Sequence, residues 1–119
     1  MIYTKLPNTD INVSKICLGT MTFGKQNSEN ESHSQIDFSL DRGINFLDTA
    51  ELYPVPADNS TYADTERIIG SWIKKSSKRE KIVLASKIVG PGTYTAHIRK
   101  KNHFSPKNLR GALEKSLDR

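Results

Sequence analysis

The stretch NFLDTAELYP, residues 45–54, decides how the rest of the chain is read. Ile44, Phe46 and Leu47 form the short apolar run of a buried strand, and an acid, Asp48, stands at its end. A carboxylate beside apolar residues costs free energy unless another group compensates it. Tyr53 follows five residues later. The strand end calls for a cation, and the tyrosine is near enough in sequence to share it.

Working outward, the same grammar repeats. Upstream, Ile16-Cys17-Leu18-Gly19-Thr20 is a brief apolar run closed by glycine, which reads as another buried strand. Before it, YTKL and INV flank the turn-rich PNTD and predict a hairpin over residues 1–14. Ser28 with Glu31 matches a capping box. The helix it opens carries Ile36 and Leu40 on one face and ends near Gly43, a natural C-cap.

Downstream, PVPADNSTYAD is too rich in proline and small polar residues for helix or central strand. A second helix is expected from Asp64 or Thr65, with Ile69, Trp72 and Ile73 as its apolar stripe and the cationic KKSSKRE at its end. Ile82-Val83-Leu84-Ala85 reads as a third buried strand, closed by Ser86 and Lys87. A loop of about 17 residues then runs to Phe104. Ser105-Pro106 opens a last helix striped by Leu109, Leu113 and Leu117.

Short continuous apolar strands between helices predict a parallel sheet with covered faces, hence an α/β protein. The dinucleotide fingerprint G-x-G-x-x-G is missing after the first strand, where GTMTFGKQ stands, so a doubly wound sheet is disfavoured. In a βα barrel, groups at the C-terminal strand ends converge on one rim. Thr20, Asp48 and Lys87 all occupy such ends.

Composition fits a globular protein: 35% hydrophobic and 26% charged residues over 119 residues, enough for one modest domain. No apolar run approaches the ~20 residues of a membrane span, and MIYTKLPNTD has no signal-peptide core. The single cysteine, Cys17, lies in the apolar ICLG and reads as a buried, inert thiol. These features point to the cytoplasm, and no metal site is expected. The net charge of +5 is uneven: residues 1–60 hold 4 Lys/Arg against 8 Asp/Glu, and residues 61–119 hold 14 against 5. Two differently solvated faces explain this as well as attraction to an anion does.

On neighbouring strand ends, Asp48 and Lys87 can pair, each offsetting part of the other's desolvation. Tyr53, on the loop leaving the same strand as Asp48, can lie over the ammonium. A phenol ordinarily ionises near pH ~10, too weak an acid for efficient proton transfer at neutral pH, and a neighbouring ammonium makes it a stronger one. Such a group can protonate a developing alkoxide while a cofactor delivers hydride to the carbon. Spacing alone leaves open that Asp48 is a strand cap, Tyr53 a surface residue and Lys87 a solvated lysine.

GTMTFG at 19–24, GINFLDTAELYPVP at 43–56, TERIIGSWI at 65–73 and IVLASK at 82–87 resemble, in order, the aldo-keto reductases. The longer loop with YPVP is similar to the bacterial NADPH-dependent branch that also resembles potassium-channel β subunits. The resemblance implies the N-terminal part of a (β/α)8 TIM barrel: a bottom hairpin, then about three βα units over residues 15–119, with the barrel incomplete. It implies reduction of aldehydes and ketones by NADPH, with Tyr53 as proton donor, Lys87 lowering its pKa and Asp48 paired with Lys87. Gly19, Thr20 and Met21 would approach the nicotinamide, and Asp48 its ribose.

A (β/α)8 barrel takes ~250 residues. The family's catalytic histidine follows the fourth strand, and His33, His97 and His103 do not occupy that motif. RKK at 99–101 reads as a solvated loop rather than a phosphate site. The isolated chain is therefore expected to be inactive, marginally stable and open at its sheet edges. Ile16, Phe46 and Leu84 are the expected barrel-interior residues lacking neighbours, and the open edges invite self-association. The competing reading is a non-catalytic half-barrel that binds a partner chain or completes another fragment. A nucleic-acid binder using Tyr94, His97 and Phe104 is disfavoured, because the basic residues scatter over expected helix surfaces. The expected partner of the enzymatic reading is a small carbonyl substrate, with neither nucleic acid nor membrane involved.

Overall fold

A computed structural model describes residues 1–100 and 103–119. The N-terminal hairpin is β1 (Tyr3–Lys5) paired antiparallel with β2 (Asn12–Ser14). Three βα units follow: β3 (Cys17–Gly19) with α1 (Glu29–Asp41), β4 (Phe46–Asp48) with α2 (Asp64–Ser76), and β5 (Val83–Ala85) with α3 (Pro106–Asp118). The strands form one parallel sheet in the order β3-β4-β5. Cys17, Phe46 and Val83 lie side by side, as do Leu18, Leu47 and Leu84, and Gly19, Asp48 and Ala85. This is part of an α/β barrel and does not close: among the described residues no strand pairs with the outer edge of β3 or of β5.

The register decides which residues face which way, because side chains alternate along a strand. Leu47 is fully buried with Phe23, Ile36, Ile69, Trp72 and Ile82, and Leu18 and Leu84 pack against that cluster. Leu84 thus faces the helices, a correction to its expected place in the barrel interior. The open face carries Cys17, Phe46 and Val83 instead. Ile16 is exposed, and standing just before Cys17 it has the parity of Leu18, so it too departs from its expected place in the barrel interior. Cys17 is exposed rather than buried, since its register position puts it on the face that no helix covers. A continuous apolar run hides this parity, because both faces of a barrel strand are apolar.

The caps follow the sequence. Ser28 Oγ accepts from the Glu31 amide (3.3 Å), and Glu31 Oε2 accepts from the Ser28 amide (2.8 Å), completing the capping box of α1. Replacing Ser28 with Ala is expected to lower stability by about 1 kcal/mol; an unchanged urea midpoint would contradict that role for the cap. Gly43, at φ +79°, makes the left-handed turn into β4 beside the Tyr3 hydroxyl, which donates to the Gly43 carbonyl at 2.7 Å. The hairpin docks at the N-terminal end of the sheet through Asn45. Its Oδ1 accepts from the Ser14 amide (2.7 Å), and its Nδ2 donates to the Asn12 carbonyl (3.0 Å).

Helices α1 and α2 pack together over the sheet. Trp72 inserts its ring into the core, and its Nε1 donates to Asp37 Oδ1 at 3.2 Å. Glu29 accepts from Ser71 Oγ (2.7 Å) and Lys75 Nζ (2.9 Å); the serine bond, then the lysine, hold its carboxyl below the usual range. The third helix differs. Its N-cap is Ser105, with Pro106 in the first turn, as predicted, but its leucine stripe has little to cover it: Leu109, Leu113 and Leu117 are 46%, 60% and 75% exposed.

Candidate active site

The C-terminal ends of β3, β4 and β5 bring the sequence-nominated residues together. Asp48 ends β4, and Lys87 follows Ser86 just beyond the end of β5. Lys87 Nζ donates to Asp48 Oδ1 (2.8 Å), to Asp48 Oδ2 (2.6 Å) and to the Thr49 carbonyl (2.8 Å). The Tyr53 ring lies on the same ammonium, with Nζ 4.9 Å from its centroid. The cation that Asp48 calls for is therefore Lys87, and Tyr53 shares it.

Burial alone would lower the Lys87 pKa, but the hydrogen bond to Asp48 and the interactions with Tyr53 outweigh it and raise the ammonium above its ordinary 10.5. A lysine whose folded pKa exceeds its unfolded one stabilises the fold fully below the unfolded value. That contribution is lost as pH climbs through the folded value. The stability difference between wild type and Lys87→Met should therefore shrink above pH 10.5. A difference that stayed constant into strong alkali would contradict the pairing.

The β3 end is locked to the same place. Thr20 is fully buried, and its amide (3.1 Å) and hydroxyl (2.8 Å) both donate to the Asp48 carbonyl. Gly19 stands opposite Asp48 in the register, and a Cβ built there would meet nothing within 4 Å. Met21 is exposed, and its carbonyl accepts from the Val55 amide at 3.2 Å, which ties the two rim loops together. The rim beside Asp48 is open at Gly19.

Two buried acids are not singled out by sequence reasoning. Glu51 is 1% exposed and takes the Arg99 guanidinium on both oxygens, with Arg99 Nη1 2.9 and 3.0 Å away. Arg99 is therefore not part of a solvated loop, as RKK suggests: its side chain is 15% exposed and neutralises a buried carboxylate. Lys101 of that run lies outside the described residues. Glu66 accepts from Ser86 Oγ (2.7 Å), next to Lys87, and pairs with Arg119. Tyr62 joins the two acids, its hydroxyl donating to Glu51 Oε1 (3.1 Å) and accepting from Arg119 Nη2 (2.8 Å). Burial, and next the Glu51 charge, push the Tyr62 phenol above its usual pKa, which keeps that proton in place. An acid inside DTAELY is the only sequence signal for Glu51, and its cation is 48 residues away.

A separate cleft, lined by Tyr3, Gly43, Asn45, Lys78 and Lys81, lies at the N-terminal ends of the strands and contains none of these groups. Among the described residues no cluster of His, Cys, Asp and Glu could hold a metal ion. No helix there is long and apolar enough to cross a membrane.

Residues 15–119 match the Aldo/keto reductase family. The chain belongs to the aldo/keto reductase family. It is 44% identical over 120 residues to protein tas of Escherichia coli (strain K12), a match that takes in all of this chain and 35% of that protein. Its fold superposes on a putative aldo-keto reductase from Pseudomonas aeruginosa with a TM-score of 0.76 at 27% identity, over 98% of this chain and 40% of that one. A holo-form aldo-keto reductase from Bacillus halodurans, AKR11C1, gives 0.73 at 28%, over 99% and 36%. The chain thus spans about a third of the length of these relatives. Aldo/keto reductases are oxidoreductases, and the three βα units of this chain are the opening part of their barrel.

Proposed function

We propose that these residues form the proton-donating portion of an NADPH-dependent reductase of aldehydes and ketones. The observation that carries the reading is the Lys87 ammonium held between the Asp48 carboxylate and the Tyr53 ring. In the reaction a substrate carbonyl oxygen accepts a hydrogen bond from the Tyr53 hydroxyl. When bound, NADPH supplies the hydride. As the carbonyl carbon gains it, the oxygen becomes alkoxide-like and takes the Tyr53 proton. The ammonium supports the negative charge left on the phenol oxygen, and Asp48 keeps the ammonium in place. A proton from solvent then restores the phenol.

The residues present fit the nicotinamide end of the cofactor, which Gly19, Thr20, Met21 and Asp48 would hold: Gly19 adds no side chain at the strand end, and Thr20 fixes that end to Asp48. The phosphate end is less well provided for, because Arg99 is engaged by Glu51. Three strands do not enclose a substrate, so residues 1–119 alone are expected to show no turnover. Joined to the remainder of the E. coli relative, they should oxidise NADPH in the presence of an aldehyde. Turnover by the 119-residue polypeptide itself, abolished by Tyr53→Phe, would overturn the need for the rest of the barrel. A cytoplasmic setting and a small carbonyl substrate go with this reading.

A second reading, a half-barrel that takes up a partner chain or its own copy, is favoured by the exposed stripe of α3 and the free edges of β3 and β5. Sedimentation distinguishes it: a cooperatively melting monomer counts against any need for a partner.

A further inference from the structure

We infer that Glu51 is a positioning residue for Lys87, gripping the backbone at that lysine's own carbonyl and at the Val89 amide and so fixing where its ammonium lies. The inference rests on the reductase reading for its consequence, but not for its geometry. Glu51 sits between Asp48 and Tyr53 in sequence, on the segment that joins the end of β4 to Tyr53. Its amide donates to the Lys87 carbonyl at 3.0 Å. Its Oε2 accepts from the Val89 amide at 3.1 Å. One residue therefore holds the chain just before and just after Ile88, and Lys87 projects from the held end.

The carboxylate is in turn fixed. Tyr62 donates to Oε1, and Arg99 covers both oxygens in a two-pronged contact. A carboxylate this buried is costly unless paired and fully hydrogen-bonded, and removing its partner is strongly destabilising. A buried ion pair adds little stability beyond what apolar packing of the same volume would give. What this one adds is direction. The main-chain amide of residue 51 would reach the Lys87 carbonyl whatever its side chain, but an apolar side chain would fill the space under the rim without specifying the position of the Val89 amide. A satisfied polar network allows one arrangement. Reacting groups need that constraint, since a displacement of about 1 Å can cost about a hundredfold in rate.

The network also explains Arg99. The loop after β5 runs across the rim and returns a cation to the turn between Asp48 and Tyr53. Arg99 thus acts on Lys87 through Glu51, without touching the ammonium.

The test reads Lys87 itself and needs no turnover. The protein is treated briefly with acetic anhydride near neutral pH, and the acetylation rate of each lysine is read by peptide mass spectrometry. In wild type, Lys87 should react slowly, because Asp48 holds it as an ammonium. In Glu51→Ala, Lys87 should react about tenfold faster, the effect of losing hydrogen bonds that hold a charged group. Glu51→Gln keeps one acceptor for the Val89 amide and should give a smaller rise, about threefold. Lys5 and Lys75, which pair with Asp10 and Glu29, should be unchanged in both. Asp48→Asn, which removes the direct partner, sets the upper limit.

Unchanged Lys87 labelling in a folded Glu51→Ala would overturn the inference. So would an equal rise at every lysine, which marks general loosening. Should Glu51→Ala not fold, hydrogen exchange in wild type decides: the Glu51 and Val89 amides should be protected together, and exchange of either at the rate of an exposed amide overturns the brace. These outcomes are separate from the reductase reading, which stands or falls on carbonyl reduction and on Tyr53.

Discussion

Tyr53→Phe, placed in residues 1–119 joined to the remainder of the E. coli relative, is expected to lower NADPH-dependent carbonyl reduction by about 10²–10⁴-fold. The substitution removes one oxygen and leaves the ring on Lys87, so packing at the rim is retained. What disappears is the proton for the developing alkoxide. Substrate should still bind, because the hydroxyl acts chiefly as charge builds on the carbonyl oxygen. The loss should therefore fall on kcat more than on KM. Steady-state kinetics read both, and circular dichroism checks that the variant is folded. A variant within a few-fold of wild type would remove Tyr53 from the proton path and leave the ion pair beneath it a structural feature.

Trp72→Ala is expected to destabilise the fold by about 3–5 kcal/mol, the range for deleting a large aromatic from a core. Trp72 is 2% exposed and packs in one cluster with Phe23, Ile36, Leu47, Ile69 and Ile82, so no neighbour can fill its space without moving a strand. Its indole also donates to Asp37, linking α2 to α1. Domains are typically stable by only about 5–15 kcal/mol, and among the described residues no strand pairs with the outer edge of β3 or of β5. The variant should be largely unfolded or aggregated at room temperature. Leu117→Ala is the contrast: at 75% exposure the same kind of truncation should change stability little. Urea denaturation of the two variants would show whether α2, and not α3, anchors the core; equal losses would contradict it.

Much of the fold is legible in the sequence, for reasons that lie in particular residues. Ser28 and Glu31 announce their helix because capping is local chemistry. Ile36, Ile69 and Trp72 announce their faces because a helix repeats every 3.6 residues. Asp48 and Lys87 can be paired because parallel strands place their C-terminal ends side by side. Strand parity is not legible, so Leu84 lies on the side opposite to the one expected, and Cys17 is exposed where its apolar run predicts burial. Runs such as IVLA are apolar at every position, and only the observed register separates their two faces.

The charge asymmetry is real, but its explanation lies in pairing. Lys75 with Glu29, Lys78 with Asp37, Lys87 with Asp48 and Arg99 with Glu51 each join a cation of the second half to an acid of the first. Those partners are 39 to 48 residues apart in sequence. No local pattern connects them, which is why Glu51 and Arg99 escape a reading of the sequence. The leucines of α3 have the right period, but a period does not say whether anything will cover it.

The central claim is that Asp48, Lys87 and Tyr53 act as one unit on a proton. A double-mutant cycle in the joined protein tests it most directly, comparing Tyr53→Phe, Lys87→Met and the two combined. If Lys87 works through the Tyr53 hydroxyl, the double variant should be no slower than Tyr53→Phe alone. Losses that multiply would mean that the ammonium and the phenol contribute independently, and would contradict proton donation by a lysine-assisted tyrosine.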